Sequence, residues 1–457
     1  MFILPGLLCL VAFILVRPFE FIAPLREIPF LYIFFALAAY GYLLDLRQGR
    51  STIRPVPHLA WAIAMTVWCL LTITIRAPNS LVAEGIKLLV AVVIYLLIAH
   101  GIQTFRAFEA LALTILLCTL WISVVCVHQG MQPSECVAAS PNESPQSLGR
   151  PDGRPCTTPL ICYRDPPEPD ADYRCERTGL FGITSIAGGR IRYIGVLQDP
   201  NEVAMTVSIA FPMAIAFYQR RRNPLRRLLL LVAFVLTTWT VVLSESRGGQ
   251  LVFLSVMGSY FFRRFRWKGV VVALLLALPV LILGGRGGAE AESSSVERIE
   301  NLYVGLQLFK TWPILGAGYA QFTQHHPLTA HNSYVLAAAE LGVFGMVFFI
   351  MTFWLGLKIP LYVIRKIDEP EGDVARIWGM ALFSSMLGLA VGIFFLSFNY
   401  HLVLWIYLGL TGALYSAVKF HQPQFRVPVR SWDILGTTTF GLLVMVGISV
   451  YVRLFGT

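Results

Sequence analysis

Long apolar runs recur along almost the whole chain, and short polar segments separate them. Most of these runs approach the roughly 20 residues that an α-helix needs to cross a bilayer. The pattern therefore predicts an all-α polytopic membrane protein with about 12–13 transmembrane helices. The first run lacks the basic start and the cleavage site of a signal peptide, which favours a helix there. The predicted spans are 2–16, 29–46, 57–76, 81–100, 106–128, 202–218, 228–244, 249–262, 269–284, 334–357, 378–398, 401–418 and 434–452.

The composition is typical of the same class. Apolar residues make up 56% of the 457 residues and charged residues only 14%, whereas about a quarter of an average soluble domain is charged. The formal net charge of +10 could suggest nucleic acid, but the basic residues occur in short clusters between apolar runs. Such clusters orient a chain in a bilayer. The sequence thus predicts contacts with membrane lipids and no nucleic-acid partner.

Basic residues also predict the sidedness of the helices. Clusters of Arg and Lys fall in alternate short loops, whereas the opposite short loops carry few. The positive-inside rule therefore assigns the basic loops to the cytoplasm. The clusters lie at 47–54, 220–227, 263–268, 358–376 and 419–430.

Two segments on the predicted outer side are too long for turns and are rich in Gly, Pro, Ser and charged residues. Functional side chains outside the membrane are therefore expected mainly there. The predicted organisation has N-terminal transmembrane helices in 1–128, an outer Cys-containing loop in 129–201, central transmembrane helices in 202–284, an outer loop with an amphipathic helix in 285–333, and C-terminal transmembrane helices in 334–457.

The eight cysteines divide evenly between the apolar runs and the first outer loop. Four cysteines in one exported segment predict two disulfides, with three possible connectivities. A metal site is the alternative, but the spacings lack the close Cys-x-x-Cys pairs of structural zinc sites. The disulfide candidates are Cys136, Cys156, Cys162 and Cys175.

Two arginines lie just before the chain re-enters the membrane. Arg190 and Arg192 precede the sequence Asp199-Pro200-Asn201, which is typical of a helix start. Capping by Asp199 or Asn201 explains this segment without any ligand. The functional alternative is a cationic ligand site at Arg190 or Arg192, with Asn201 beside it.

Two further arginines map to the outer boundary. Arg247 joins two spans and precedes two glycines, which permit the close approach of a ligand. Its structural alternative is a side chain that reaches the lipid headgroups. Arg298 follows Ser294-x-x-Glu297, a pattern that predicts a capping box and a helix resting on the membrane surface.

A glycine loop and a histidine complete the candidates. Gly316 and Gly318 lie in a Pro-x-x-Gly-x-Gly sequence, which by itself is a weak signal because turns use glycine widely. His331 is a candidate base, since the pKa of histidine lies near working pH, or else a side chain at the membrane interface. Two histidines just upstream raise a metal site, but no carboxylate occurs among them. Glu340 follows inside the next span.

In this order the motifs resemble those of the O-antigen ligase and polymerase family of bacterial membrane glycosyltransferases. The resemblance extends from about 190 to 350, and the number of spans agrees over nearly the whole chain. The matching positions are Arg192-x-x-Gly195, Asp199-Pro200-Asn201, Ser246-Arg247-Gly248, Arg298, Pro313-x-x-Gly316-x-Gly318 and His331-Asn332, followed by Glu340-x-Gly342-x-x-Gly345.

The resemblance implies a fold like that of the C-type membrane glycosyltransferases. It also implies transfer of a glycan from undecaprenyl diphosphate to an acceptor hydroxyl at the periplasmic side of the bacterial inner membrane. The acceptor is lipid A-core in ligases and a second lipid-linked saccharide in polymerases. The four-cysteine loop and an additional span at the end depart from the usual pattern, so both activities stay open.

The resemblance and the chemistry of the residue types together assign roles. Arginine forks hold phosphate oxygens, so Arg247 and Arg298 are expected to stabilise the diphosphate leaving group, with His331 as the base. This chemistry requires no metal and no other cofactor. A secondary transporter of an anion and a non-catalytic component of a polysaccharide export system are the alternatives. Expected substrate-binding residues are Arg190, Arg192, Asn201, Gly316, Gly318 and Glu340.

Overall fold

The protein consists mainly of long helices. The computed structural model describes residues 1–140, 148–269, 271, 275, 289–367 and 372–455. The helices are α1 (Ile3–Val16), α2 (Phe30–Arg47), α3 (Leu59–Arg76), α4 (Leu81–Gly101), α5 (Phe105–Gly130), α6 (Pro159–Cys162), α7 (Pro200–Arg220), α8 (Pro224–Leu243), α9 (Arg247–Phe265), α10 (Ala289–Thr311), α11 (Ser333–Lys366), α12 (Gly372–Gly392), α13 (Leu402–His421) and α14 (Ser431–Phe455).

Ten helices within these described ranges are long and apolar enough to cross a membrane, which confirms the predicted class of all-α polytopic membrane protein. Helix α1, at 14 residues, is shorter than each of these ten. Helix α9 contains the predicted span 249–262 but is not one of the ten. The predicted span 269–284 lies largely outside the described residues. Short 3-10 turns connect several helices.

The chain divides into two compact units. The first unit contains Met1–Leu7, Ala36–Leu111 and Gly287–Thr457, and the second contains Leu8–Phe35 and Ala112–Arg286. In the first unit, α13 is almost wholly buried against α4, and α11 packs against α3, α10, α12, α13 and α14. Helix α11 is therefore central to that unit.

The Cys-containing segment of the second unit forms a small antiparallel sheet that the sequence analysis did not predict. Its strands are β1 (Ser134–Ala139), β2 (Arg150–Pro155) and β3 (Asp172–Arg177), in the order β2-β1-β3. Disulfides join Cys136 to Cys162 and Cys156 to Cys175. Sulfur atoms of both bonds lie close together, but a disulfide sulfur is not the thiolate that binds a metal.

Helices α7, α8 and α9 form the other part of the second unit, with α7 packed against both neighbours. The start of α7 follows the predicted capping pattern. The side chain of Asp199 accepts a hydrogen bond from the Asn201 amide at 2.6 Å, and Pro200 is the first helical residue. This cap satisfies one of the amides that a helix leaves unpaired at its start.

Candidate functional site

Arg190 lies in the interior of the second unit, with only 4% of its surface exposed. Its Nε donates to the carbonyl of Ser244 at 2.9 Å, and its Nη2 lies 3.5 Å from Oδ1 of Asn201. The guanidinium therefore ties the start of α7 to the turn between α8 and α9. That turn includes Glu245 in a left-handed conformation (φ 49°) and leads directly to Arg247.

Arg192 is buried even more completely, at 1% exposure. Its Nε donates to the carbonyl of Thr184 at 2.7 Å, its Nη2 donates to the Thr184 hydroxyl at 2.9 Å, and the Glu176 carboxylate lies 3.9 Å away. Burial lowers the pKa of Arg192 and raises the pKa of Glu176. These contacts hold the loop together, so Arg192 supports the structure around it.

The glycine of the Arg192-x-x-Gly195 motif also has a structural explanation. Gly195 has a φ of 68°, a conformation that other residues rarely adopt. A side chain at this position would overlap Arg17, which pairs with Glu20 at 2.8 Å. The motif therefore maintains close packing between two segments of the second unit.

Arg247 differs from these two arginines because its side chain is exposed. It is the first residue of α9, and the Ser246 hydroxyl caps the helix by accepting from the Gly249 amide at 2.9 Å. Gly249 approaches Ala204 of α7 so closely that a side chain would overlap it. The helix start is thus rigidly placed, and its partial positive charge favours an anion beside Arg247.

In the first unit, helix α11 is broken at Gly342, whose φ of 67° and ψ of −167° are not helical. The segment after α10 packs into this break through its backbone. The Ala317 amide donates to the Ala339 carbonyl at 2.8 Å, and the Gly318 amide donates to the Glu340 carbonyl at 2.9 Å. Side chains at Gly316 or Gly342 would overlap the opposite backbone. The two glycine motifs therefore dock on each other.

The break folds α11 back on itself. The rings of Tyr334 and Phe349 lie 6.1 Å apart between centroids. In a straight helix, positions so far apart in sequence would be separated by about 22 Å, at about 1.5 Å per residue. The first part of α11, before Gly342, is consequently a short segment folded against the second part, and His331 lies just before its start.

Glu340 is buried near the break, with 3% exposure. Its Oε1 accepts a hydrogen bond from the Phe322 amide at 3.0 Å. The Tyr400 side chain lies beside the same carboxylate. The carboxylate thus anchors the loop that leads from Gly318 to His331.

His331 is partly exposed and has a left-handed backbone, with φ 47°. The next two residues explain how this conformation is held. Asn332 Oδ1 accepts from the amides of Tyr334 and Val335, each at 3.0 Å, and so caps the N-terminus of α11. A non-glycine residue persists in this conformation only where its surroundings fix it, which is common at functional sites.

The turn between α12 and α13 fixes the start of α11. These contacts could not be predicted from the sequence. The Ser333 hydroxyl donates to the Leu396 carbonyl at 2.7 Å and accepts from the Phe398 amide at 2.8 Å. The Asn399 side chain donates to the Ser333 carbonyl at 2.8 Å. Only the pairing of residues more than sixty positions apart could have revealed them.

The helix that contains Arg298, α10, begins earlier than the sequence predicted. The helix begins at Ala289, so the predicted capping box at Ser294 is wrong and Arg298 does not lie in the first turn. The buried face includes Asn301, Gly305 and Leu308, and the helix packs against α11 and α14. Arg298 is partly exposed.

The three histidines of this loop do not form a cluster of metal-ligating atoms within the described part of the chain. Instead, Nε2 of His326 lies 3.6 Å from Oε1 of Glu300. His325 is exposed, and its ring lies 5.5 Å from that of Trp312. Each histidine therefore has a different environment.

The described helices and motif positions define a multi-pass helical membrane protein. Residues 232–350 match the family model described as O-antigen ligase. This stretch contains Arg247, Arg298, His331 and Glu340, whereas Arg190 and Arg192 precede it. The match covers part of the chain and confirms the resemblance to the O-antigen ligase and polymerase family seen in the sequence. No curated protein matches the chain.

Proposed function

We propose that this protein transfers a glycan from undecaprenyl diphosphate to an acceptor hydroxyl, as an O-antigen ligase or a surface polysaccharide polymerase. The observation that carries this proposal is the O-antigen ligase match over 232–350, which contains the exposed Arg247 and the partly exposed Arg298 and His331 in family order. A membrane-embedded enzyme suits such a donor, because its polyprenyl tail stays in the bilayer.

The reaction is a substitution at the anomeric carbon of the donor glycan. The acceptor oxygen forms a bond to that carbon while the bond between the carbon and the diphosphate oxygen breaks. The bonding electrons leave with the undecaprenyl diphosphate, and the acceptor proton passes to His331. The products are the extended acceptor and free undecaprenyl diphosphate, with the proton on the imidazole.

Arg247 and Arg298 are proposed to stabilise the charge that develops on the diphosphate. The exposed guanidinium of Arg247 lies at the positive end of α9, which supports binding of an anion there. Arg190, Arg192 and Asn201 are proposed to act differently. Their contacts with the protein interior support a role in placing the backbone near Arg247, without direct contact with the substrate.

His331 is proposed to be the base that accepts the proton of the acceptor hydroxyl. Its partly exposed position and its fixed, left-handed backbone support this assignment. Gly316, Gly318 and Glu340 are proposed to assist indirectly, since they hold the break in α11 and the loop before His331. The proposed reaction requires no metal, because the arginines supply the positive charge.

The proposed location is the bacterial inner membrane, with the reacting groups on the periplasmic side. The distribution of Arg and Lys supports this orientation. Cysteine labelling or fusion reporters should place positions near 223 and 265 in the cytoplasm and positions near 160 and 320 outside. A cytoplasmic signal from position 160 or 320 would contradict the proposal.

Surface glycans of a strain lacking the protein test the function and separate its two forms. Lipid A-core without attached polymer indicates a ligase, whereas single repeat units on the core indicate a polymerase. Unchanged glycans together with a defect in anion uptake would favour a secondary transporter. Loss of all export, with the donor intact, would favour a non-catalytic component of the export system.

A further inference from the structure

Asn301 is a buried side chain that has no role in the reaction proposed above. It has no exposed surface, and both its Oδ1 and Nδ2 atoms lack a hydrogen-bond partner among the described residues. Leaving a buried amide unpaired costs about 1–3 kcal/mol per group. A folded protein rarely keeps two such atoms unpaired in one side chain, so this position calls for a functional explanation.

The packing of α10 shows where Asn301 lies along the neighbouring segment. Gly305 contacts Val335, and the Pro313 carbonyl accepts from the Val343 amide, so both pairs differ by 30 positions. The chain from Gly305 to Pro313 therefore runs parallel to the chain from Val335 to Val343. Asn301 lies one turn before Gly305, and His331 lies shortly before Val335, so this part of α10 adjoins the segment that carries His331.

One further contact, together with that of Gly305 and Val335, brackets the same place. His326 lies 3.6 Å from Glu300, and Val335 lies against Gly305. His331 falls between His326 and Val335 in sequence, as Asn301 falls between Glu300 and Gly305. Asn301 also shares the buried face of α10 with Gly305, one turn away. The amide is thus directed toward the segment that carries His331.

We propose that Asn301 is a positioning residue that orients the His331 imidazole by a hydrogen bond when substrate is bound. The inference rests on the proposed function of His331 as the base. A base is commonly oriented by a third group, and such hydrogen bonds are often not closed in a protein without substrate. The carboxamide oxygen of Asn301 accepts from one ring nitrogen and leaves the other to take the acceptor proton.

The elements that pack around this region carry other titratable groups. They are Arg298 and Glu300 on α10, His325 and His326 in the loop, Tyr334 and Glu340 on α11, Arg76 at the end of α3, Tyr400 and His401 in the turn before α13, and Tyr451 and Arg453 on α14. All of them are present in every Asn301 variant, so a shift between variants reports the Asn301 side chain.

The test compares Asn301→Leu and Asn301→Asp with Leu308→Ala, a packing control on the same face of α10, in a transfer assay across pH. Asn301→Leu should lower kcat about 10- to 100-fold with little change in KM, because the base is misdirected. Asn301→Asp should restore much of the rate. Its carboxylate should also move the acidic limb of the pH profile to higher pH, since it favours the protonated imidazole. Leu308→Ala should leave the shape of the profile unchanged.

Failure of this inference is distinct from failure of the proposed function. If His331→Ala is slow while both Asn301 variants behave as the wild type, Asn301 has no positioning role and the function stands. If both Asn301 variants are slow with an unshifted profile, the role is structural only, and the inference is wrong. If the wild-type protein releases no undecaprenyl diphosphate, the function itself is wrong.

Discussion

In the second unit, Arg190 and Arg192 are buried and donate to carbonyls and side chains of the protein, whereas Arg247 is exposed at the start of a capped helix. In the first unit, Gly316 and Glu340 make internal contacts, whereas His331, just before the start of α11, is partly exposed. Both regions therefore combine residues that fix the backbone with one residue that stays accessible.

This comparison shows that residues from one set of family motifs can have different tasks. A polar group placed in an apolar interior must be hydrogen-bonded, so the surroundings of Arg190 and Arg192 use their donors. An arginine that binds a substrate needs donors directed outward. Burial therefore separates the supporting residues from the accessible ones, which sequence order alone does not do.

His331→Ala should have the largest effect on transfer. Removal of a general base typically lowers kcat about a hundred- to ten-thousand-fold. Donor binding should be nearly unchanged, because the base acts on the acceptor proton. The measurement pairs a transfer assay with a separate donor-binding assay, and His325→Ala on the same loop is the control. A normal rate for folded His331→Ala would move attention to His326 and Glu340.

Arg247→Ala should lower transfer about 100- to 1000-fold, the range for loss of one donor to developing charge. Arg247→Lys should recover little, since an ammonium lacks the two-pronged geometry of guanidinium. Arg298→Ala should behave similarly and also weaken donor binding, because the diphosphate is charged before the reaction. Arg263→Ala, at the other end of α9, is the matched control. Equal losses in Arg263→Ala would indicate a non-specific effect.

Variants of Glu340 show whether its carboxylate only anchors the loop at Phe322 or also takes part in acid–base chemistry. Glu340→Gln keeps an oxygen that accepts from the Phe322 amide, so it should retain most of the activity. Glu340→Ala leaves that buried amide unpaired, at a cost of about 1–3 kcal/mol in stability. Thermal unfolding and transfer rates of both variants check this. A Gln variant as slow as the Ala variant would point to a requirement for the carboxylate itself.

Loss of the disulfides should have the smallest effect on transfer and a clear effect on stability. Each bond closes a loop, with 26 and 19 positions between its cysteines, and contributes about 3 kcal/mol in a chain-entropy model. Cys156–Cys175 lies next to Glu176, which faces Arg192, so its removal should disturb activity more than removal of Cys136–Cys162. Proteolysis of the loop and transfer rates of the paired Ser variants test this order.

The long helices and the cap at Asp199 could be predicted from sequence because both depend on local patterns. The small sheet could not, since its strands have only six residues each and Arg150–Pro155 includes two prolines. The Ser294 pattern misled the prediction because a capping-box sequence also occurs inside α10. A capping-box sequence does not show whether the residues before it are already helical.

The supporting contacts of the candidate residues were beyond prediction for a different reason. The burial of Arg192 depends on Thr184 and Glu176, and the position of His331 depends on Ser333 and the turn before α13. These contacts join residues that are distant in sequence or lie in irregular loops. No periodicity of apolar residues marks them, so only the folded structure assigns them.

The most direct test of the account is release of undecaprenyl diphosphate by the purified protein in lipid, with a glycan-linked donor and an acceptor, in the presence of a chelator. The proposed function predicts that undecaprenyl diphosphate is released in a one-to-one ratio with the glycan transferred. The chelator should leave both unchanged. Each of the variants Arg247→Ala, Arg298→Ala and His331→Ala should reduce both. An intact donor with the wild-type protein would contradict the enzymatic function. Activity that chelator abolishes and a divalent ion restores would contradict the arginine-based stabilisation of the leaving group.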